Sequence, residues 1–290
     1  MTRPLITLLC TLWLASAQAA LSPESAAKNQ PVAPFRIIGN LYYVGASDVA
    51  AYLVVTPKGM ILLDGGFAET APMIEKNIAT LGFKLTDVKI LLNGHAHPDH
   101  AGGLAALKQD SGAAFYAMDK EVQPLEHNGQ GTFYRGDRKL FDSIHVDRVL
   151  HDGDLVSLGG TDLTAHLTAG HTPGCTTWSM RLMDGGKPYD VVVLCQVSLP
   201  GNPTLVGDPN YADIPTDFTR TFSVLKSLHC DVFLSEHGSV FDLQGKIKRM
   251  QAGANPFVDP EGYTHYVAQA EQDFEKELAA ERHVTATPAL

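Results

Sequence analysis

The sequence lacks three features that would each define a class of protein. A transmembrane helix needs about 20 apolar residues, and the longest apolar run, Leu5–Leu14, is much shorter. There is no basic stripe with aromatic residues, since 22 Lys and Arg stand against 32 Asp and Glu, so nucleic acid is not expected as a partner. Repeats and low-complexity linkers are also missing. The 290 residues, 44% of them apolar, suffice for one substantial core or two closely joined halves.

The N-terminal residues have the pattern of a secretory signal peptide. Arg3 supplies the positive start, Leu5–Leu14 the apolar segment, and residues 17–19 an A-x-A cleavage site. We therefore predict a signal peptide over 1–19, a single mature domain over 20–290, and export to the periplasm. The alternative, a membrane anchor, would need a longer apolar run.

Potential metal ligands are concentrated in one short motif. Residues 95–100 read HAHPDH, which places three imidazoles and a carboxylate within six positions. The motif follows an apolar run, 88–93, that predicts a buried strand, and it precedes a helix start, where α/β folds place their sites. Two single histidines in similar company, His171 in GHTPGC and His237 in SEHGS, complete a candidate ligand set.

The chemistry of this set favours zinc in an open, catalytic site. Imidazole and carboxylate ligands without thiolate suit a zinc ion that keeps a position for water. Extended backbone would put His95 and His97 on one side of the chain. Pro98 then turns the chain, so that Asp99 and His100 face a second metal position. The alternative is a chance cluster of ordinary histidines, as the other seven are expected to be. The predicted division is His95, His97 and His171 for one zinc ion, and Asp99, His100 and His237 for the other.

The periodicity of apolar residues predicts strands followed by a helix, twice. Amphipathic helices are expected over Thr70–Leu81 and Ile214–Leu228, and a last helix follows the N-cap Asp259 and runs to about Ala280. A hairpin turn at 184–186 separates two of the strands. Because the ligands come from both halves, two face-to-face sheets with outer helices would bring them all to one edge. The other predicted strands are short runs within 35–56, 60–64, 88–93, 114–118, 155–158, 162–169, 176–182, 189–194 and 231–234.

Four segments of the sequence resemble one family of hydrolases. HAHPDHAGG at 95–103, GHTPGCTTW at 170–178, CDVFLSEHG at 230–238 and NPFVDPEGY at 255–263 are similar to metallo-β-lactamase-fold hydrolases, and more closely to the class B, subclass 3 metallo-β-lactamases. The resemblance covers essentially the whole mature chain. It implies an α/β fold, an αββα sandwich of two β-sheets with outer helices. It also implies an enzyme with two zinc ions that hydrolyses the β-lactam amide of penicillins, cephalosporins and carbapenems and so confers antibiotic resistance.

The end of the strand 189–194 separates this subclass from its relatives. Glyoxalase II and lactonase relatives place a metal-bridging Asp after it, whereas the run here, VVVLCQVS, has no acid. Subclass 1 β-lactamases place a Cys ligand in this region and lack the last His of HxHxDH, which this chain keeps as His100. Two alternatives stay open: a related dinuclear zinc hydrolase of lactones, esters or thioesters, and a non-catalytic zinc-binding module.

The resemblance and zinc chemistry together imply a mechanism. Zinc lowers the pKa of bound water to about 7, so hydroxide is available at neutral pH to attack the lactam carbonyl. One zinc ion polarises that carbonyl, the other stabilises the departing nitrogen, and Asp99 orients the hydroxide as well as binding metal. A small-molecule β-lactam is thus the expected partner, and the chain is expected to act as a monomer.

Substrate contacts follow from the resemblance alone. Ser198 falls on a position where related enzymes bind the substrate carboxylate, although an ordinary loop hydroxyl is the alternative. Gln196 replaces the Ser of a second such position and can still donate hydrogen bonds. Phe133 and Tyr134, in the long loop predicted over His127–Val146, are candidates for an apolar lid or for packing.

The cysteines predict one disulfide. The mature chain has Cys175, Cys195 and Cys230, and an odd number leaves at least one unpaired. The hairpin about 184–187 brings Cys175 and Cys195 opposite each other, within disulfide reach, and export favours oxidation. We therefore predict a Cys175–Cys195 disulfide that braces the loop of His171, with Cys230 free and buried. Cys195 as a zinc ligand is the alternative, which the six-ligand set makes redundant.

Overall fold

Two β-sheets and the helices on their outer sides make up the described structure. The computed structural model describes residues 21–131, 139–199, 204–250 and 255–286. Buried side chains of both sheets belong to one apolar core, so the sheets lie face to face. This is the αββα sandwich that the sequence predicts. Among the described residues, no helix is both long and apolar enough to span a membrane.

The first sheet comes from the N-terminal half of the chain. It contains β1 (Phe35–Ile38), β2 (Leu41–Tyr43), β3 (Tyr52–Thr56), β4 (Gly59–Leu63), β5 (Val88–Leu92), β6 (Ala114–Met118) and β7 (Arg148–Leu150), in that order across the sheet. The first four strands pair antiparallel, and β4 to β7 pair parallel. Parallel strands are covered on both faces and are therefore nearly continuous in apolar residues. The central strand β5 fits this rule, because four of its five residues are buried.

The second sheet comes from the C-terminal half. It contains β8 (Leu155–Leu158), β9 (Thr161–Leu167), β10 (Thr176–Asp184), β11 (Lys187–Leu194) and β12 (Val232–Ser235), and the order across the sheet is β12-β11-β10-β9-β8. Gly185 and Gly186 join β10 to β11 with φ of 56° and 80°. A two-residue hairpin of this kind needs left-handed residues, which glycine adopts without strain. The last strand, β12, pairs parallel with β11 at the edge.

Helices cover the outer faces of both sheets. The α-helices of the described residues are α1 (Pro23–Lys28), α2 (Ala71–Thr80), α3 (Pro98–Ala101), α4 (Leu104–Ser111), α5 (Val122–Glu126), α6 (Ile214–Ser227), α7 (Leu243–Met250) and α8 (Pro260–Ala286). Short 3-10 turns precede α2, β5 and α5, at Ala68–Thr70, Leu85–Asp87 and Asp119–Glu121. In α6 the residues Phe218, Phe222 and Leu225 are buried, which gives the one-sided spacing of an amphipathic helix. The N-cap of α8 is Asp259, whose Oδ1 accepts the Gly262 N–H at 3.0 Å.

The core joins the two halves of the chain. Leu63 and Leu92 of the first sheet belong to the same buried cluster as Trp178 and Val192 of the second, and α6 and α8 extend it. A separate buried cluster fills the space between the first sheet, α2 and α4. Shared burial of this kind resists relative movement of the sheets, because close-packed interiors deform little. An edge that receives chain segments from both sheets is therefore a rigid place for a site.

Most of the predicted elements are present. The strands over 114–118 and 155–158 have the predicted bounds, and the two predicted amphipathic helices are α2 and α6. The last helix continues to Ala286, beyond the predicted end at about Ala280. The signal peptide predicted over 1–19 and the loop aromatics Phe133 and Tyr134 lie outside the described residues.

Three elements were missed: α1, β7 and α7. The strand β7 has three residues, too few to establish a period. The helix α7 has a polar sequence, LQGKIKRM, and buries only Leu243 and Lys246 among its residues. The side chain of Lys246 is 2% exposed and pairs with Asp259 at 2.9 Å. Lysine counts as a polar residue in the sequence, so the periodicity of apolar residues did not indicate a helix here.

Candidate metal centre

The six predicted ligands come together at one edge of the sandwich. The strand β5 ends at Leu92, and the HAHPDH motif follows it directly. The loop between β9 and β10 carries His171, and β12 ends at Ser235, two residues before His237. The motif and His237 follow the carboxyl ends of parallel strands in the two different sheets, and His171 lies in a loop of the second sheet. Strand ends of this kind are where α/β folds gather functional residues. The expectation that both halves contribute to one site is met.

The local fold of the motif explains its spacing. His97 is the N-cap residue of α3 and has extended backbone, with φ of −91° and ψ of 155°. Pro98 then occupies the first helical turn, where its fixed φ and missing N–H are tolerated. The following residues, Asp99 and His100, therefore lie in the first turn of a helix. The change from extended to helical backbone is what separates the ligands into two groups.

The first cluster consists of His95, His97 and His171. The Nε2 atom of His95 lies 2.9 Å from Nδ1 of His97, and Nε2 of His171 lies 3.1 Å from the same Nδ1. All three rings are buried, with at most 4% of the residue surface exposed. Three ring nitrogens thus converge on one point inside the protein.

The second cluster consists of Asp99, His100 and His237. The Nε2 atoms of His100 and His237 lie 3.3 Å apart. The Oδ2 atom of Asp99 is 3.6 Å from the first of these and 3.5 Å from the second. The two histidines are buried, whereas a quarter of the Asp99 side chain is exposed. Access to the centre from solvent is therefore on the side of Asp99.

The geometry of both clusters fits a divalent metal such as zinc. Nitrogen ligands bound to one zinc ion at about 2.0–2.1 Å in a tetrahedron lie roughly 3.3 Å from one another. The measured separations within the clusters, 2.9 to 3.6 Å, are close to that value. In each cluster the three ligand atoms lie within 4.8 Å of one another. Three protein donors leave a fourth position for water or substrate at each point, as in catalytic zinc sites.

Comparison with known proteins places this site in a family. Residues 44–182 match the family model of the metallo-β-lactamase superfamily. The FEZ-1 metallo-β-lactamase from Legionella gormanii is 45% identical, with a TM-score of 0.86, over 88% of this chain and 98% of that chain. The class B3 di-zinc metallo-β-lactamase LRA-12 from an Alaskan soil metagenome is 32% identical, with a TM-score of 0.83, over 89% of this chain and 98% of that chain.

The chain belongs to the metallo-β-lactamase family. Its similarity to LRA-12 associates it with class B3, the subclass that the sequence motifs indicate. Like its solved relatives, it is a hydrolase by family. Hydroxyacylglutathione hydrolase from Anaeromyxobacter dehalogenans (strain 2CP-C) is 34% identical over 97 residues, 33% of this chain and 31% of that protein. The chain matches only about a third of the length of such curated relatives.

Oxygen acceptors fix three of the histidine rings of this metallo-β-lactamase-family site from behind. Outer partners of this kind set the tautomer and orientation of metal-binding histidines. A ring that donates from Nδ1 to an oxygen presents the Nε2 lone pair to the centre. The Nδ1 partners are Glu236 for His95 at 3.2 Å, the Ser198 carbonyl for His171 at 2.6 Å and Asp48 for His237 at 3.0 Å. The Asp64 carboxylate lies 3.7 Å from Nδ1 of His100, beyond hydrogen-bond distance, and acts there as a nearby negative charge.

Sequence reasoning did not identify the carboxylates among these partners. Asp64 follows the buried strand β4 and has a left-handed φ of 67°, which is uncommon for a residue with a side chain. Glu236 directly precedes His237, so an acid beside a predicted ligand was an available signal. Asp48 lies in an irregular segment before β3. It is 189 residues away from His237 in the sequence, so no local sequence pattern connects the two. Asp48 and Asp64 are therefore found only when the fold is known.

The electrostatic environment differs between the two clusters. Burial lowers the pKa of His95 and of His97 well below the usual range and that of His171 to about 4, so the first cluster is neutral. Burial also lowers the pKa of His100, but the charges of Asp99 and Glu236 outweigh it and raise the pKa to about 10. The same negative charge that favours a proton on His100 favours a divalent cation beside it.

The predicted substrate contacts lie beside the first cluster. Ser198 is exposed, and its carbonyl is the acceptor for Nδ1 of His171. The Nε2 amide of Gln196 donates to Oγ of Ser198 at 2.6 Å. This bond uses one lone pair of the hydroxyl, so the Ser198 O–H can still donate to another acceptor. The two side chains therefore form one polar unit rather than two separate contacts.

The disulfide predicted between Cys175 and Cys195 is present, with the Cα atoms 5.9 Å apart. The register of the hairpin, with Trp178 opposite Val193, is one residue away from the one that sets the two cysteines opposite each other. They are diagonal neighbours beyond the end of the ladder, which still brings the sulfur atoms together. Cys230 is free and buried, as predicted, and burial raises the pKa of its thiol to about 12.

Proposed function

We propose that this chain is a dinuclear zinc β-lactamase that hydrolyses the amide bond of penicillins, cephalosporins and carbapenems. The observation that carries the proposal is the pair of adjacent three-ligand clusters, open to solvent at Asp99, in a chain similar to class B3 enzymes over nearly their whole length. We assign the first cluster to one zinc ion and the second to the other. Each ion would keep a position for water or substrate.

The side chains at the two clusters divide the chemical work. Zinc, when bound, supplies a hydroxide at neutral pH and Lewis-acid polarisation of the lactam carbonyl. Asp99 has one carboxylate oxygen beside His100 and His237 and is partly exposed, so its other oxygen can accept a hydrogen bond from the attacking water. The neutral imidazoles of His95 and His171 hold their Nε2 lone pairs toward the centre, because Glu236 and the Ser198 carbonyl accept from their Nδ1 atoms.

Ser198 and Gln196 are proposed to hold the substrate carboxylate. The Gln196 amide donates to Oγ of Ser198, and the hydroxyl hydrogen is left to donate to an anionic acceptor beside the first cluster. In this arrangement Gln196 has a role even though it replaces the Ser that related enzymes have at this position. Gln196 would act by orienting Ser198 rather than by contacting the substrate alone.

A thioester or lactone hydrolase is the second candidate. It is supported by the partial similarity to hydroxyacylglutathione hydrolase. The segment after β11 speaks against it, because no carboxylate follows the strand and Cys195 is committed to a disulfide. A metal-bridging acid would have to come from this position, so the candidate lacks the residue that its chemistry requires.

The test is a turnover assay of the purified mature protein against four substrates: a penicillin, a carbapenem, a lactone and an acyl-glutathione thioester. We expect hydrolysis of both β-lactams, loss of activity with a chelator, and its return with zinc. Metal analysis should give two zinc ions per chain. Preferential turnover of the thioester or lactone would reject the β-lactamase assignment, and one zinc at saturation would reject the dinuclear centre.

Export to the periplasm and antibiotic resistance are tested in cells. Full-length protein expressed in a susceptible Gram-negative host should raise the penicillin concentration that stops growth. A variant without residues 1–19 should accumulate at similar levels but protect less, because the drug acts in the periplasm. Equal protection by both forms would contradict the assignment of a signal peptide.

A further inference from the structure

A buried carboxylate that belongs to neither cluster connects two ligand segments. Glu121 ends the 3-10 turn after β6 and is 1% exposed. Its Oε2 accepts the backbone N–H of Ala96 at 2.6 Å, and its Oε1 accepts the Thr172 hydroxyl at 2.6 Å and the Gly174 N–H at 2.9 Å. One side chain thus takes three hydrogen bonds from two loops that are 76 residues apart in the sequence.

The position of these donors is specific. Ala96 lies between His95 and His97, and Thr172 directly follows His171. None of the three donors adjoins a ligand of the second cluster. Glu121 therefore ties together the backbone segments that present all three ligands of the first cluster.

The packing around Glu121 is too close to be incidental. A Cβ atom on Gly174 would lie 2.6 Å from Cγ and 2.8 Å from Oε1 of Glu121, so the backbone reaches the carboxylate only because this residue is glycine. Burying a carboxylate is costly unless it is hydrogen-bonded. Here the bonds that satisfy Glu121 are the same bonds that align the two loops.

We propose that Glu121 is a positioning residue for the first cluster, which sets the metal affinity of His95, His97 and His171 without contacting the metal. The second cluster has separate support, from Asp48 behind His237 and Asp64 behind His100. Loss of the Glu121 bonds should therefore weaken one metal position and spare the other. The inference rests on the proposed dinuclear centre but not on the identity of the substrate.

The experiment is a Co²⁺ titration of metal-free protein, followed by visible absorption and by competition with a chelator. Co²⁺ reports each site by its own spectrum, so the two affinities are measured without any turnover. In Glu121→Gln one carboxylate oxygen becomes an amide N–H₂ that faces hydrogen-bond donors. We expect affinity at the first cluster to fall about 10- to 100-fold, the usual effect of losing an outer partner, with affinity at the second cluster unchanged. The exposed Glu69→Gln serves as a control for the change in charge.

A milder pair of variants covers the case in which Glu121→Gln does not fold. Thr172→Val removes one donor to Glu121 at nearly constant volume, and Thr172→Ser keeps the hydroxyl. In Thr172→Val the metal affinity of the first cluster should fall, but by less than in Glu121→Gln. In Thr172→Ser it should equal that of the wild type. Because a general loss of stability would affect both metal positions, the ratio of the two affinities separates positioning from folding.

Two outcomes would overturn the proposal: equal weakening of both clusters, or wild-type affinities in both Thr172→Val and any folded Glu121→Gln. Wild-type protein that binds fewer than two Co²⁺ ions would instead reject the dinuclear centre itself. A failure of the β-lactamase assignment is separate from both, because it would leave the two affinities and their ratio as predicted.

Discussion

The two clusters consist of different kinds of side chain, and different residues contact them from behind. The first consists of three neutral, buried imidazoles. Glu236 and a backbone carbonyl accept from two of the rings, and Glu121 accepts from the backbone beside them. The second includes Asp99, which is partly exposed, and has Asp48 and Asp64 behind its histidines. The first cluster is thus a set of buried, neutral rings, and the second includes a negatively charged ligand that is open to solvent.

The difference suggests a division of roles within one centre. A rigid pocket with neutral donors can fix the place where the substrate carbonyl is polarised, since preorganised groups need no rearrangement during the reaction. A charged, accessible position can bind a cation strongly and present Asp99 to water. The first four of the following predictions each act at or beside one cluster, and the last concerns a cysteine away from both.

The largest effect is expected from Asp99→Ala in the second cluster. It removes both a ligand and the group proposed to orient the attacking water, so kcat should fall roughly 10³-fold, with a smaller change in KM. Steady-state kinetics with a penicillin, together with metal content, measure this. Near-normal turnover would show that Asp99 does not take part in the reaction.

Removing the disulfide beside the first cluster should come next. The bond closes a loop with a sequence separation of 20, and Cys175→Ala with Cys195→Ala should lower the free energy of unfolding by about 3 kcal/mol. Since Cys175 follows the His171 loop, Co²⁺ affinity should fall more at the first cluster than at the second. Urea unfolding gives the stability, with Cys230→Ala as the control. An unchanged unfolding midpoint would mean that the bond contributes nothing.

Asp48→Asn tests the support of the second cluster. The pKa of Asp48 is lowered to about 2, because hydrogen bonds from His237 and Ser239 outweigh the opposing effect of burial. The variant loses this charge, and Co²⁺ affinity at the second cluster should fall about 10-fold or somewhat more. The exposed Asp87→Asn is a matched control. If the first cluster weakened instead, the separate support of the two clusters would be wrong.

Ser198→Ala should raise KM about 10-fold for a penicillin with little change in kcat, because a hydrogen bond to a charged carboxylate is lost. Ser198→Thr keeps the hydroxyl and should behave like the wild type. Gln196→Ala should show a smaller effect in the same direction, since it acts through Ser198. A fall in kcat with constant KM would place Ser198 in the chemical step.

The smallest effect concerns Cys230, which lies away from both clusters. Its raised pKa keeps the thiol protonated and unreactive at pH 8 in the folded protein. A thiol reagent should label the native chain slowly and the unfolded, unreduced chain once, at Cys230. Labelling of Cys175, or of three cysteines, would show that the disulfide is absent from the protein in solution.

The sequence predicts the ligands better than their supports. His95, His97, Asp99 and His100 lie within six residues, so their grouping depends on local backbone geometry alone. The same holds for the hairpin that brings the two cysteines together, although the exact register differs by one residue. Glu121 gives no such signal, because an acid in a short turn resembles any exposed residue until its partners, more than 20 positions away, are known.

The sequence by itself determined the elements whose causes are local. These are the strand before the motif, the turn at Pro98, the N-cap at Asp259, and the residue types that suit zinc. Only the tertiary structure decided which carboxylates stand behind which histidines, that Gln196 donates a hydrogen bond to Ser198, and that the two clusters differ in charge and exposure. These properties depend on contacts between distant segments, and such contacts form only when the two sheets close on their shared core.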